Sequence, residues 1–510
     1  MINAPSPIVN AGEWFLSFFK DFVGTPAILV GLFAMLGSIL LRKKATEIIT
    51  AFFKTAAGFF IIAAGGGVVV GSLTNFQLLF EDLFGLSGAV PNNEALVGTI
   101  ISKFQEIAQL GSIIMVLSIV LNIGLAYGSR FKYIYLSGHV IFNLSIALAS
   151  VMVLSDFNLA NPGDYTIALI SAALFMSLYM VLSCAMLYRW TKMITKTNDI
   201  SVAHTGALSY LMGGLIGDLI HKVKTKMNKS IKSTEDIKFP KWLQFFRNTF
   251  ISMAITMIVV FLIIYLPEGI MYNTGIKTTT NEAIINLFSK DATNWFVRAV
   301  VEGFTFAAGV EIILLGVRMV IGELVPSFKG VSEKVIKNAK AGIDCPIVFP
   351  YAPNAVLIGF LASLIGAAAG LGISVGISSS TIIPVIIPGI VAQFFLGATT
   401  AVFANVRGGI LAAIIAAFLN GVIITLTPVV FYAANWVPQE NGRFVTSVWG
   451  DTDYLIAALP GLLVLPQGAI GRALVLSVPL IIWIGLVIDG QINKFRNKNK
   501  ADLVPVTNQT

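Results

Sequence analysis

Eleven separate runs of this chain are apolar enough to cross a lipid bilayer, and its basic residues collect at alternate ends of them. A spanning helix needs roughly 17 to 25 mostly apolar residues. The runs lie at about 25–41, 46–73, 110–127, 133–154, 165–188, 250–266, 299–321, 355–377, 381–403, 409–434 and 474–488. Inside hydrocarbon every backbone N–H and C=O must be satisfied by the chain itself, so the expected class is an all-α polytopic membrane protein. Hydrophobic residues fill 56% of the 510 positions and charged ones only 12%, too few to cover a water-soluble core.

The charges also set an orientation. If the first run ends inside the cell beside Arg42, Lys43 and Lys44, then 25 of the 34 lysines and arginines fall on the inner side, seven outside and two within spans. That bias predicts an outside N-terminus and an inside C-terminus in a cell membrane. The formal charge of +8 is distributed between spans rather than along one groove, which argues against nucleic acid and for anionic lipid and an acidic cytoplasmic partner. Met1 to Asn10 lacks the charged start of a cleavable signal, so the first run is expected to stay as an anchor. Two cysteines, Cys184 and Cys345, both in or beside apolar segments, support neither a disulfide framework nor a thiolate metal site.

The expected organisation is an interfacial N-terminal segment (1–24), a first membrane repeat (25–190), a basic cytoplasmic loop (191–249), a linker helix with an external loop (250–298), a second membrane repeat (299–490) and a cytoplasmic tail (491–510). Duplication is suggested by Lys43-Lys44-Ala45-Thr46-Glu47 and Lys329-Gly330-Val331-Ser332-Glu333, which each follow a span. Parity makes these two parallel five-helix repeats, with the sixth span restoring orientation, an arrangement common in transporters. Within the loop, Leu208–Ile220 is too short to cross and reads as an amphipathic or core helix. Two stretches refuse to be simple spans: Asp344 to Asn354, with Pro346, Pro350 and Pro353, and Tyr454 to Pro466. Both read as re-entrant hairpins, because irregular backbone at membrane depth must line protein or water.

An ionisable or strongly polar group inside the membrane is costly, and is a functional candidate for that reason. His139 and Asn143, four apart, share one helix face and could clasp a sugar hydroxyl, or else glue two helices. His204 borders the cytoplasmic loop and reads either as solvated or as a ligand. Asp344 sits where prolines break the chain, and serves either as an acceptor for ligand hydroxyls or as a cap. Glu302 and Arg318 lean structural, while Glu311 is either a proton carrier or the ion-pair partner of Arg318. No Walker loop, zinc-binding helix or paired-cysteine motif occurs, which excludes an ATP-driven pump and a zinc enzyme as first readings. No cofactor is expected.

Several ordered landmarks carry a family resemblance. They are Leu40-Leu41-Arg42-Lys43, Gly138-His139 with Phe142, His204, Gly316-Val317-Arg318-Met319, Glu323-Leu324, Ile343-Asp344-Cys345, Ala352-Pro353-Asn354-Ala355-Val356 and Val402-Phe403-Ala404-Asn405. With these, the chain resembles the enzyme IIC permeases of the ascorbate family of the bacterial phosphotransferase system, over about residues 25 to 490. The resemblance implies a homodimer with a substrate-binding core and a V-shaped dimerisation domain, working by an elevator motion. It further implies that a separate cytoplasmic IIB protein, recharged by IIA, donates phosphate from a cysteine, so that the chain itself is a permease subunit rather than an enzyme. By position, the family's substrate-binding residues fall on the run His139, Val140, Ile141, Phe142 and Asn143, on His204 with Thr205, on Asp344, and on Asn93 with Glu94. Asn143 and Thr205 stand where the family has glutamine, and Asn93 and Glu94 where it has threonine and tyrosine. A carboxylate at Glu94 would repel the ascorbate anion unless a cation lies close.

The expected function is therefore translocation of L-ascorbate, a related small sugar acid or a pentitol. The competing expectation is a proton- or sodium-coupled sugar symporter using Glu311 or Asp344, and a polytopic membrane enzyme has no nucleophile or metal constellation behind it. With such short ends, no fused IIA or IIB domain is expected.

Overall fold

The computed structural model describes residues 25–155, 157–237, 249–289, 294–336, 338–464 and 468–502. The N-terminal interfacial segment, residues 238–248 of the basic loop, Pro466 and the last eight residues of the tail lie outside them. Among the described residues, eight helices are long and apolar enough to cross a bilayer: Ala45–Phe84, Gln105–Gly128, Pro162–Thr195, Ala254–Asn273, Trp295–Val320, Pro353–Ser378, Val391–Ala433 and Ala469–Arg496. Shorter apolar helices cover Val30–Leu40, Gly138–Leu154 and Tyr454–Val464.

One of the eight is two arms. The helix Ile390–Ala433 is broken at Gly409 (φ 67°, ψ −159°), a backbone conformation essentially reserved for glycine. Gln393 Nε2 donates to Thr425 Oγ1 at 3.3 Å across the break. A straight helix would hold those two residues about 48 Å apart, so the chain reverses at Gly409. Helix Pro353–Ser378 packs against both arms: Ser363 Oγ donates to Gln393 Oε1 and accepts from Asn420 Nδ2, a polar cluster that joins three apolar helices.

The membrane core is less purely helical than the sequence suggests. Residues 133–154 and 381–403 each start as a strand, Tyr133–Tyr135 (β2) and Val385–Ile386 (β5), before their helices begin at Gly138 and Ile390. With Gly88–Pro91 (β1), Ile200–Val202 (β3), Lys340–Ile343 (β4) and Ser447–Val448 (β8), these short strands form two three-stranded parallel sheets. In one, β1 lies between β5 and β8; in the other, β4 lies between β2 and β3. Pairing satisfies backbone N–H and C=O groups that these non-helical segments would otherwise leave orphaned inside an apolar molecule. A separate two-stranded hairpin pairs Gln439–Glu440 (β6) with Arg443–Phe444 (β7).

A second departure concerns residues 344–354. In place of a re-entrant hairpin, Asp344 caps a 3-10 helix, Cys345–Tyr351, that runs directly into helix Pro353–Ser378. Pro346, Pro350 and Pro353 remove amide donors along this turn. The apolar piece after His204 is a helix, Ala207–Lys226, packed on the arm before Gly409.

Helices Ala45–Phe84 and Trp295–Val335 cross at glycine. A methyl group on Gly58 would lie 2.7 Å from the Gly316 carbonyl, and one on Gly316 would lie 2.5 Å from the Gly58 carbonyl. This contact fixes the stretch Val310–Arg318, one wall of the central cavity.

Candidate functional site

Each of the six sheet strands delivers its chain end to one place. After β1 come Asn92, Asn93 and Glu94; after β2, His139; after β3, His204 and Thr205; after β4, Asp344; after β5, Val391 and Ala392; after β8, Asp451. Because the strands within each sheet are parallel, the following helices start on one side of it, and their first turns line a cavity of about 260 Å³. The volume suits a small solute, since sites for drug-sized ligands run roughly 300–1,000 Å³.

Local hydrogen bonds explain the placement. Asn92 Oδ1 accepts from the Ala95 N–H at 2.8 Å and starts helix Asn93–Lys103, which swings Asn93 and Glu94 to the cavity. Asn93 Oδ1 accepts from the Gly450 N–H at 2.8 Å, tying the first half of the chain to the second. Thr205 Oγ1 donates to Asp451 Oδ2. Asp453, fully buried, accepts from the Ala207 and Leu208 N–H groups, each at 2.8 Å, and from the Tyr179 hydroxyl at 2.7 Å. It therefore caps helix Ala207–Lys226 from a distant part of the chain and holds the His204-Thr205 turn against the β8 segment.

His139 and His204 have ring centroids 6.2 Å apart, and His139 Nε2 lies 3.7 Å from Asp344 Oδ2, beyond direct hydrogen-bond reach. Asp344 Oδ1 accepts from the Cys345 N–H at 2.7 Å, leaving the other oxygen toward the imidazole. The Gly206 N–H donates to His204 Nδ1 at 3.1 Å, and the Tyr210 hydroxyl lies 2.9 Å from the same atom. A backbone amide can only donate, so Nδ1 is the bare nitrogen and Nε2 carries the proton. Burial pushes the His204 imidazole below its ordinary range, which keeps the ring neutral. His139, His204 and Asp344 offer atoms within 4.8 Å of one another. The His204 tautomer does not suit a metal, because the free nitrogen is the protonated one.

Of the residues expected at the site, Asn93, Glu94, His139, Val140, Asn143, His204, Thr205 and Asp344 line the cavity, whereas Ile141 and Phe142 do not. Those two point into the core, Phe142 edge-on to Phe59 at 5.6 Å, because successive helical residues face different sides. Glu94 is 9% exposed and Asn143 only 3%, and Asn143 Oδ1 has no hydrogen-bond partner. Burial raises the Glu94 carboxyl above the usual carboxylate range. Arg318 and Glu311, which also line the cavity, form an ion pair at 3.1 Å. Glu302 accepts instead from Asn75 Nδ2 at 2.8 Å, a helix-to-helix contact outside the cavity.

Sequence reasoning missed Asp451 and Asp453. The signal was present: three polar residues, Asp451-Thr452-Asp453, stand between Trp449 and an apolar helix, where a helix start wants carboxylates.

Comparison with known proteins adds two findings. The family model EIIC-GAT, described as the PTS system sugar-specific permease component, matches residues 21–453. The chain is also 22% identical, over 439 residues, to the ascorbate-specific PTS system EIIC component of Mycoplasma pneumoniae (strain ATCC 29342 / M129 / Subtype 1). That alignment covers 80% of this chain and 64% of the relative, so the chain spans less than two thirds of the relative's length.

Proposed function

The chain belongs to the EIIC-GAT family of PTS sugar-specific permease components, and from that premise we propose that it is the membrane-embedded, sugar-translocating IIC subunit of a phosphoenolpyruvate-dependent phosphotransferase system. The observation that carries the reading is a small cavity, lined by two imidazoles, amides and carboxyls, within an otherwise apolar molecule. Its solute is L-ascorbate, another small sugar acid or a pentitol, held by hydrogen bonds with His139, Asn143, His204, Thr205, Asp344, Asn93 and Glu94, the carboxylates accepting. A cytoplasmic phospho-IIB, recharged by IIA, is the donor: its cysteine S–P bond breaks as a sugar O–P bond forms, and the hydroxyl proton leaves to a nearby base or water. The charged product cannot recross hydrocarbon, and that traps it.

The wider arrangement follows the same reading. The chain works as a homodimer with an elevator-type core, its N-terminus outside and its lysine-rich loop toward IIB. Two observations support parallel duplicated halves. The central strand of each sheet comes from the half opposite its two neighbours, and β1 and β2, starting at 88 and 133, are spaced as β4 and β5 are, starting at 340 and 385. The pairing of Glu311 with Arg318 counts against Glu311 as the carrier of an ion-coupled symporter.

The test is uptake by vesicles containing the full chain, supplied with phosphoenolpyruvate, the general phosphotransferase proteins, IIA and IIB. The internal product should be phosphorylated, and His139→Ala or Asp344→Ala should abolish uptake while the protein still folds. Accumulation of unmodified solute under a pH gradient alone would establish the symporter instead.

A further inference from the structure

Resting on the phosphotransferase reading, we infer that Arg318 is a catalytic residue of the phosphoryl transfer, its guanidinium receiving the phosphoryl oxygens as the group passes from the donor's cysteine to a solute hydroxyl. Among the described residues that line the cavity, it is the only lysine or arginine. Four carboxyl groups, Glu94, Glu311, Asp344 and Asp451, line the same space of about 260 Å³. The product, a phosphate monoester, carries roughly −1.5 to −2 charges at pH 7. Such a group is repelled from a carboxyl-lined wall unless a permanent cation meets it. The histidines do not supply one: His204 accepts the Gly206 amide as a neutral ring, and any charge on His139 is answered by Asp344 at 3.7 Å.

The arginine is both fixed and available. Gly316, two residues earlier, sits against the Gly58 backbone, and Val317 is buried, so the helix wall holds the Arg318 backbone in place while its side chain stays 62% exposed. Among the described residues its one bond runs from Nη2 to Glu311 Oε1 at 3.1 Å. That pair is single-pronged and exposed, and such pairs hold weakly. The Nε and Nη1 donors remain for an oxyanion, and a planar fork suits phosphoryl oxygens. Glu311 is thus a resting partner that the phosphoryl group displaces. Position along the helix agrees. Arg318 follows the helix start at Trp295 by roughly 23 residues, about 35 Å of axis, and the hydrocarbon layer is about 30 Å thick. With Trp295 on the outer side, the guanidinium stands where the cavity meets the cytoplasm, the side from which the donor comes. In the step itself the S–P bond breaks as the O–P bond forms, the thiolate leaves with the electron pair, and the hydroxyl proton goes to water. Negative charge spreads over the phosphoryl oxygens in the transition state, and Arg318 stabilises it there.

The deciding experiment is a single turnover: phospho-IIB is mixed with the full chain in detergent and with L-ascorbate or xylitol, whichever the wild type phosphorylates, and labelled product is followed with time. At saturating phospho-IIB and solute, Arg318→Ala should slow transfer at least a hundredfold, while the Kd for that solute, read from its melting shift, stays within twofold. Arg318→Lys keeps the charge but loses the fork, and should slow transfer about tenfold. Guanidinium ion, added below the concentration that unfolds the protein, should restore part of the rate of the alanine variant. Should Arg318→Ala fail to fold, Arg318→Lys decides alone. Transfer at the wild-type rate by the variants would overturn the assignment. So would a loss that lies in solute Kd, which makes Arg318 a solute contact, or one cured by more phospho-IIB, which makes it a docking contact. Accumulation of unmodified solute by wild-type vesicles with no phosphoryl donor would overturn the phosphotransferase reading itself, and the role of Arg318 with it.

Discussion

At the scale of single residues, the stakes lie in a few buried polar groups. Asp453 satisfies two backbone amides and a tyrosine hydroxyl at once, so Asp453→Ala leaves both helix-start amides unmatched, while the Tyr179 hydroxyl keeps the His204 carbonyl at 2.9 Å. That should cost about 3 kcal/mol or more, read as a lower melting temperature in detergent, whereas Tyr179→Phe removes only one partner and should cost about 1 kcal/mol. His204 carries a pH dependence. Its folded-state pKa lies below the ordinary value of 6.5, so the unfolded chain binds the proton more readily. The stability it contributes is therefore present above about pH 6.5 and lost as pH falls. A protonated ring would also present Nδ1–H to the Gly206 amide. The melting temperature should fall on acidification below pH 6.5, and His204→Gln should flatten that part of the profile. Among these residues, the His139 and Asn143 face was legible from helical spacing alone. For Asp451 the polar run marks a helix start, but its place in the site was not legible, because nothing in a one-dimensional reading says that a polar turn near residue 450 returns to one near residue 205.

At the scale of elements, apolar runs announced the helices well and the strands not at all. Tyr133-Ile134-Tyr135 and Val385-Ile386 are as apolar as the helices they precede, so hydropathy merges strand and helix into one span. Only pairing with residues far along the chain makes them strands, and such pairing has no local signature. The reverse holds at Arg407-Gly408-Gly409, where a small polar break was enough to separate two runs. Gly409→Ala places a side chain at φ 67°, ψ −159°, with its methyl group driven into the Lys232 carbonyl. The substitution should destabilise the hairpin by roughly 1–3 kcal/mol or more, measurable as faster proteolysis between the two arms.

At the scale of the whole molecule, charge asymmetry is the most readable feature, and it makes a direct prediction. Both native cysteines are buried and free, so they form a silent background for labelling. A cysteine placed at Lys224, on the basic helix, should react with an impermeant maleimide only in inverted vesicles, and one at Gln439, on the β6–β7 hairpin, only in intact cells. Labelling of both from the same side would reject the orientation. The interlaced sheets have a consequence for biosynthesis. Since β1 waits for β5 and β8, and β4 completes a sheet begun by β2 and β3, a nascent chain arrested before residue 447 carries most of its helices yet lacks a finished cavity. Translation can insert the early helices one after another, but the pocket closes only near the end of synthesis, so early helices must wait in the lipid for late ones.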